Sequence, residues 1–161
     1  MEIKMLKEIK TTKEECINII GVTLLEKEDY LANKDIISFL GERWWTRTPA
    51  DFGDHTCVEV IEDPNYTIAG VNSFIAVRPA LIVSSVDSTI KRGDKYLLGG
   101  MSWTAITGVN SNILLLADES IGRGQFRAGV RAADADDYKK SKIKKWLEEW
   151  YEDFLINYKA S

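Results

Sequence analysis

The residues able to do chemistry are few. His55 is the only histidine, Cys57 follows two positions later, and the one other cysteine is Cys16. A Ser–His–Asp or Cys–His arrangement would have to use His55. Positions i and i+2 of a strand share a face, so His55 and Cys57 in one strand would be neighbours, the minimal pair for a small hydrolase. One histidine beside one thiol weighs little against a solvated loop histidine, and no catalytic residue is assigned. Two cysteines and one histidine are too few for zinc, and neither a metal nor a cofactor is expected. Gly122-Arg123-Gly124 does not follow a strand and open a helix, as a phosphate loop must. The sequon Asn65-Tyr66-Thr67 means little without secretion.

Two arginines stand in a peculiar setting. Trp44-Trp45-Thr46-Arg47-Thr48-Pro49 and Val77-Arg78-Pro79-Ala80-Leu81 are apolar stretches, each with one arginine just before a proline or a Thr-Pro pair. Both are expected in one small scaffold, with the arginines bonded internally to carbonyls or carboxylates.

The elements that must position these residues read as follows. Residues 2–9 form a first strand. Thr12-Lys13-Glu14-Glu15 opens a short helix that Gly21 ends. Residues 22–25 form a strand, 26–33 one or two helical turns, and Ile36, Ile37, Phe39 and Leu40 an apolar turn. Trp44 begins the next strand, residues 56–61 another, and Asp63-Pro64-Asn65 is a turn. Residues 74–83 read as one buried central strand despite Pro79. Strands at 101–106 and 113–116 follow the turns Gly99-Gly100 and Asn110-Ser111. Residues 119–138 are loop. Ser141 then caps a helix on which Ile143, Trp146, Leu147, Trp150, Tyr151, Phe154, Leu155 and Tyr158 make one apolar stripe. Lys139, Lys140, Lys142, Lys144 and Lys145 crowd its N-terminal end, against the macrodipole at ~0.3–1 kcal/mol per exposed charge. A solvated face is the reading favoured over a site for an acidic partner.

The two arginine stretches resemble the hallmark of a family of uncharacterised bacterial and phage domains, Trp-Trp-x-Arg-Ser-Pro followed by Val-Arg-Pro-Ala-Leu. Thr48 replaces the usual serine and keeps the hydroxyl. Val22-Thr23-Leu24-Leu25 with Glu28 and Tyr30, Gly93-Asp94 with Gly100 and Trp103, residues 116–127, and Asp137-Tyr138 with Ser141 to Glu148 are similar to the rest of that family's pattern, so the likeness runs from about residue 22 to 151. It absorbs the adhesion-like tripeptide Arg92-Gly93-Asp94 as a turn. The resemblance implies an α+β, C-type-lectin-like fold: small twisted antiparallel sheets, long loops, short N-terminal helices and one amphipathic C-terminal helix. It is a fold akin to formylglycine-generating enzymes and to the variable proteins of phage diversity-generating systems. In it Trp44, Trp45, Arg47, Pro49, Arg78, Pro79, Trp103 and Trp146 are structural. The resemblance implies no activity. Neither Cys16 nor Cys57 matches the copper site of the formylglycine-generating enzymes. Glu62-Asp63-Pro64-Asn65 loosely resembles the calcium loop of sugar-binding lectins, but the companion Trp-Asn-Asp motif is missing, and a plain turn is preferred.

Composition bounds the function. The chain has 161 residues, enough for one domain with a real core. A net charge of −4 argues against binding a phosphate backbone non-specifically. Two thiols without a disulfide framework, an N-terminus too charged for a signal peptide and no apolar run long enough for a bilayer make the cytoplasm of a bacterial cell or infected host the expected location. The leading expectation is a non-catalytic module that recognises a protein through loops. Its candidate contacts are Phe52, Asp54, His55, Tyr66, Asn72, Arg123, Phe126, Arg127 and Arg131. A phage-encoded inhibitor of a host defence enzyme such as a CRISPR nuclease is the alternative, followed by a virion component or the His55/Cys57 hydrolase.

Overall fold

A computed structural model describes residues 17–50, 55–84, 90–127 and 136–160. The strand expected at 2–9 and the helix from Thr12 lie outside them. In chain order the elements are β1 (Ile19–Thr23), α1 (Lys27–Asn33), β2 (Trp44–Pro49), β3 (Cys57–Glu62), β4 (Asn65–Gly70), β5 (Ile75–Ala76), β6 (Ala80–Val83), β7 (Lys95–Leu98), β8 (Met101–Thr107), β9 (Ile113–Ala117), β10 (Arg123–Gly124), a 3-10 turn (Tyr138–Lys140) and α2 (Lys142–Ala160).

Two small sheets form. The first has the order β1-β6-β9-β8-β7 and is antiparallel throughout. The second has the order β10-β5-β2-β3-β4 and is mixed, because β2 and β5 run parallel at Trp44↔Ala76. The α+β class is as expected, and β8 and β9 flank the Asn110-Ser111 turn, where Ser111 has φ 66°.

Three expectations are corrected. Residues 74–83 are not one strand: β5 belongs to the second sheet and β6 to the first, and Val77–Pro79 cross between them. Pro79 has no N–H for a ladder, so the apolar run breaks there. Gly21 does not end a helix but lies inside β1, opposite Ile82 of β6. Within the loop expected at 119–138, Arg123 and Gly124 form β10 against β5.

The core follows from this division. Leu25, Tyr30, Ile37, Trp44, Ile61 and Ala76 on the α1 and second-sheet side pack against Ala80, Ile106, Leu114 and Leu116 of the first sheet. α2 joins both halves. Its N-terminal Ile143 and Leu147 pack with Trp45, Val58, Val60 and Phe126, while Phe154 packs with Leu81, Trp103 and Leu115. The aromatic stripe stacks on itself and on the first sheet, with ring centroids 5.4 Å apart for Trp103–Phe154 and 5.2 Å for Trp150–Phe154. Ser141 Oγ accepts the Lys144 N–H at 3.0 Å, the expected N-cap.

The β7–β8 turn is where this packing is tightest. Gly99 has φ 59°, and a Cβ there would stand 2.5 Å from Phe154 Cε1. Gly99→Ala is expected to lower stability by about 1–3 kcal/mol through left-handed strain and displacement of the Phe154 ring. Urea unfolding checks this, and truncating Phe154 in the same chain should recover the steric part only.

Candidate functional site

Each titratable cluster can be asked whether it is built for chemistry. Arg78 lies fully buried on the crossover between the sheets. Its Nε donates to the Ala117 carbonyl at 2.6 Å and its Nη2 to Ser38 Oγ at 3.1 Å, and the guanidinium lies 4.9 Å from the Trp44 ring centroid. Burial pushes its pKa down, and the carboxylates of Asp63 and Asp118 oppose that. Tyr30 donates to Asp63 Oδ1 at 3.1 Å. Burial first, then the Asp63 charge, push its phenol up to about 12, so it remains a donor. Arg47 donates from Nε to the Leu24 carbonyl at 3.1 Å and pairs with Glu26 at 2.9 Å. Both arginines therefore bond internally, as expected. The Thr48 hydroxyl accepts the Lys27 N–H at 2.9 Å and so holds the start of α1.

A second cluster spans β7, β8 and the end of β9. Asp118 accepts from Ser102 Oγ at 2.6 Å and Thr104 Oγ1 at 2.7 Å, and Lys95 Nζ reaches Thr104 Oγ1 at 2.6 Å and Asp118 at 3.3 Å. Burial alone would raise the Asp118 carboxyl, but the two hydroxyls and the Lys95 charge outweigh it and hold the pKa below its usual value. Asp118 engages both hydroxyls and the Lys95 ammonium at once, so these side chains cross-link β7, β8 and the end of β9.

His55 stands before β3 with φ 62°, so strand alternation does not place it beside Cys57. Its Nδ1 lies 3.1 Å from Asp136 Oδ1. The Cys57 thiol is free and neighbours the Thr56 hydroxyl at 3.7 Å. No nucleophile–base–carboxylate series links these groups.

The remaining candidates divide sharply. Phe52, Asp54 and Arg131 lie outside the described residues. Phe126 has no exposed surface and packs on Trp45 at 5.5 Å, which corrects its reading as a contact residue: it is core. The Arg127 N–H donates to the Val71 carbonyl at 2.8 Å, and Asn72 O accepts from Gln125 Nε2 at 2.9 Å, which ties the 119–138 segment to the end of β4. Tyr66 is 46% exposed on β4 with Lys27 Nζ 4.5 Å above its ring. Trp45 Nε1 donates to the Gly124 carbonyl at 2.8 Å, and Trp146 covers Gly122 and Gly124, so the tryptophans hold β10 in place.

Arg123 lies in a groove. Together with Glu42, Arg43, Ala69, Gly70, Ser73, Phe74, Ile75 and Ala76 it lines an open depression of about 530 Å³ on the second sheet. A second depression of about 380 Å³, lined by Phe39 and Asp63 among others, shares Glu42 and Arg43 with it. Two ion pairs stand here, Arg123–Glu42 at 2.7 Å and Arg43–Glu62 at 3.0 Å. Phe39 and Phe74 are 65% and 67% exposed. Sequence reasoning missed both. Phe39 was read as part of an apolar turn, and Phe74 as the start of a buried strand. Among the described residues no group of His, Cys, Asp or Glu could hold a metal ion, and no helix is long and apolar enough to cross a membrane. Asp63, in the loop compared with a calcium site, already accepts from Tyr30 and from the Leu40 N–H at 2.9 Å.

Comparisons with protein-family models, with curated proteins and with solved structures found no match.

Two expectations follow from the buried polar groups. Asp118→Asn should lower stability near neutrality by about 1–3 kcal/mol. The folded carboxyl titrates below its unfolded value. Its contribution is therefore complete above the unfolded pKa, near 4, and is lost as pH falls through the folded one. The gap between wild type and variant should close in that acid window, as chemical denaturation at a series of pH values will show. Arg78→Ala opens a cavity and leaves the Ala117 carbonyl without its donor, an expected loss of about 3–5 kcal/mol by thermal unfolding.

Proposed function

We propose that the chain is a non-catalytic binding module that recognises a protein through the groove on its second sheet, carried on a C-type-lectin-like scaffold. The observation that carries this reading is the pair of exposed phenylalanines, Phe39 and Phe74, at two adjoining depressions separated by the Glu42 and Arg43 side chains. Large aromatic side chains left in water beside arginines are the usual anchors of a protein interface. The ion pairs Arg123–Glu42 and Arg43–Glu62 are exposed, so they cost little to rearrange and supply orientation more than affinity. Support for the scaffold comes from two small sheets joined at the Trp44 and Arg78 stretches and spanned by a C-terminal helix.

The test is a comparison of wild type with Phe74→Ser and Phe39→Ser as baits in host lysate, read by mass spectrometry. A stoichiometric protein held by wild type should be held at least about ten-fold more weakly by Phe74→Ser, the loss expected of an interface anchor, with the melting temperature unchanged. A turnover activity abolished by His55→Ala in a folded chain would replace this reading with an enzyme.

A further inference from the structure

β4 is an open edge: β3 pairs with it on one side, and no described strand pairs with it on the other. The phase of the ladder decides which main-chain groups face outward. The Val71 N–H donates to the Thr56 carbonyl at 2.9 Å, one step beyond the Cys57↔Gly70 pair. Bonded and open pairs alternate along an antiparallel ladder, so the bonded ones are Ala69↔Val58, Thr67↔Val60 and Asn65↔Glu62. The far side of β3 agrees. The carbonyls of Cys57 and Glu59 point towards β2, accepting the Ala50 N–H at 3.1 Å and the Thr46 hydroxyl at 2.8 Å. The N–H and C=O of Tyr66 and Ile68 and the N–H of Gly70 are thus directed away from the sheet, while the Gly70 carbonyl takes the Ser73 N–H at 3.0 Å.

Exposed edges are ordinarily blunted by lysine, proline, a bulge or an inward charge. β4 reads Asn-Tyr-Thr-Ile-Ala-Gly and pairs with β3 in unbroken register, so it carries none of these defences.

We propose that this edge pairs with the same edge of a second copy, antiparallel about a two-fold axis at Ile68, joining the two second sheets into one. In that register Ile68 faces Ile68 of the second copy and the two exchange both main-chain bonds. Tyr66 faces Gly70 of the second copy, whose N–H donates to the Tyr66 carbonyl. The side chains are self-complementary. The strand is uncharged, so two-fold symmetry sets no like charges opposite one another. Tyr66, half-exposed with Lys27 Nζ 4.5 Å above its ring, stands opposite a glycine whose face is shared by Asn72 Oδ1 and Ser73 Oγ, and an aromatic opposite an edge glycine is a favourable cross-strand pair. It arrives beside Asn72 Oδ1, which lies 3.3 Å from the position of a Gly70 Cβ, within reach of the phenol.

The interface is small. Six residues of strand span roughly 20 Å, and edge-to-edge pairing covers only a narrow strip of that length, less than the ~800 Å² per partner of a standard interface. The dimer is therefore weak and concentration-dependent. A two-fold at Ile68 keeps equivalent faces of the two sheets on one side and sets Tyr66 of the second copy against Gly70, at the rim of the groove. The dimer itself does not rest on the groove's function.

The test is sedimentation velocity over a concentration series reaching hundreds of micromolar, with Ile68→Pro and Ile68→Lys beside wild type. The Ile68 N–H faces away from β3, so proline there spares the internal ladder and removes only the intermolecular bond. Lysine places two like charges at the axis. Wild type is expected to shift from monomer to dimer mass, and both variants to remain monomeric with unchanged circular dichroism. In wild type, the Ile68 and Gly70 amides should gain hydrogen-exchange protection with concentration while those of Thr67 and Ala69 do not change, a readout that needs no variant. A chain monomeric throughout, a dimer that both variants leave intact, or another protein's strand captured at this edge by a monomer overturns the proposal.

Discussion

The structure depends on a buried guanidinium at the place where the chain leaves one sheet for the other. Taking a charge out of water costs several kcal/mol even after relaxation, and no carboxylate among the described residues pairs directly with Arg78. It is held instead by the Ala117 carbonyl at the end of β9, by the Ser38 hydroxyl and by the face of Trp44 in β2. Asp63 and Asp118 act on it from further off. These groups belong to both sheets and to the segment before β2. Any slip of one sheet against the other would strand the charge, so the arginine fixes a relation that apolar packing alone would leave adjustable. The arrangement has a cost: Arg78 Nη1 and Trp44 Nε1 are buried without a hydrogen-bond partner among the described residues.

What the chain reveals without coordinates follows from how local each signal is. α2 was legible because Ile143, Leu147, Trp150 and Phe154 repeat at helical spacing over about three turns. The β8–β9 hairpin was legible because Asn110-Ser111 has turn chemistry between two apolar runs. The break inside 74–83 was not, because Ile75, Ala76, Leu81 and Val83 are apolar whichever sheet they join. Only Pro79 and the arginine before it marked the crossing. The site is harder still. Tyr66, Asn72 and Arg123 were read as candidates because they lie in or beside segments expected to be loops. Phe39 and Phe74 were not, since exposure of an aromatic is decided by what the fold fails to place over it, and residue type carries no record of that.

The polar clusters show how a scaffold spends its titratable groups. Asp118, Lys95, Ser102 and Thr104 satisfy one another across β7, β8 and β9. Asn33 Nδ2 donates to the Thr107 carbonyl at 2.7 Å, and Asp29 Oδ1 accepts the Val109 N–H at 2.9 Å, tying α1 to the same hairpin. Each is a bond between elements distant in sequence, made by a group that would otherwise be free for chemistry. Satisfied networks of this kind rigidify a core. Here they bind the three strands β7, β8 and β9 to one another and α1 to the hairpin between β8 and β9.

α2 shows which term prevails when local and tertiary preferences conflict. Its first turn holds no acidic residue and its last turn carries Lys159, while Lys142, Lys144 and Lys145 sit at the end where the macrodipole favours anions. That arrangement costs at most ~0.3–1 kcal/mol per exposed charge. Burying Ile143, Leu147 and Phe154 contributes roughly 1.5–3 kcal/mol each, so packing exceeds the dipole penalty several-fold. The charges are also softened locally. Lys142 Nζ reaches Gln125 Oε1 at 3.2 Å, and Lys144 Nζ pairs with Glu148 one turn on at 2.5 Å. The N–H groups of Lys142 and Ile143, unpartnered in an isolated helix, donate to the Phe126 carbonyl at 3.1 and 3.3 Å. The helix start is therefore anchored by the same short segment, Arg123 to Arg127, that walls the groove and bonds to Val71 and Asn72. The lysines stand where they do because tertiary contacts, and not the dipole, decide where this helix begins.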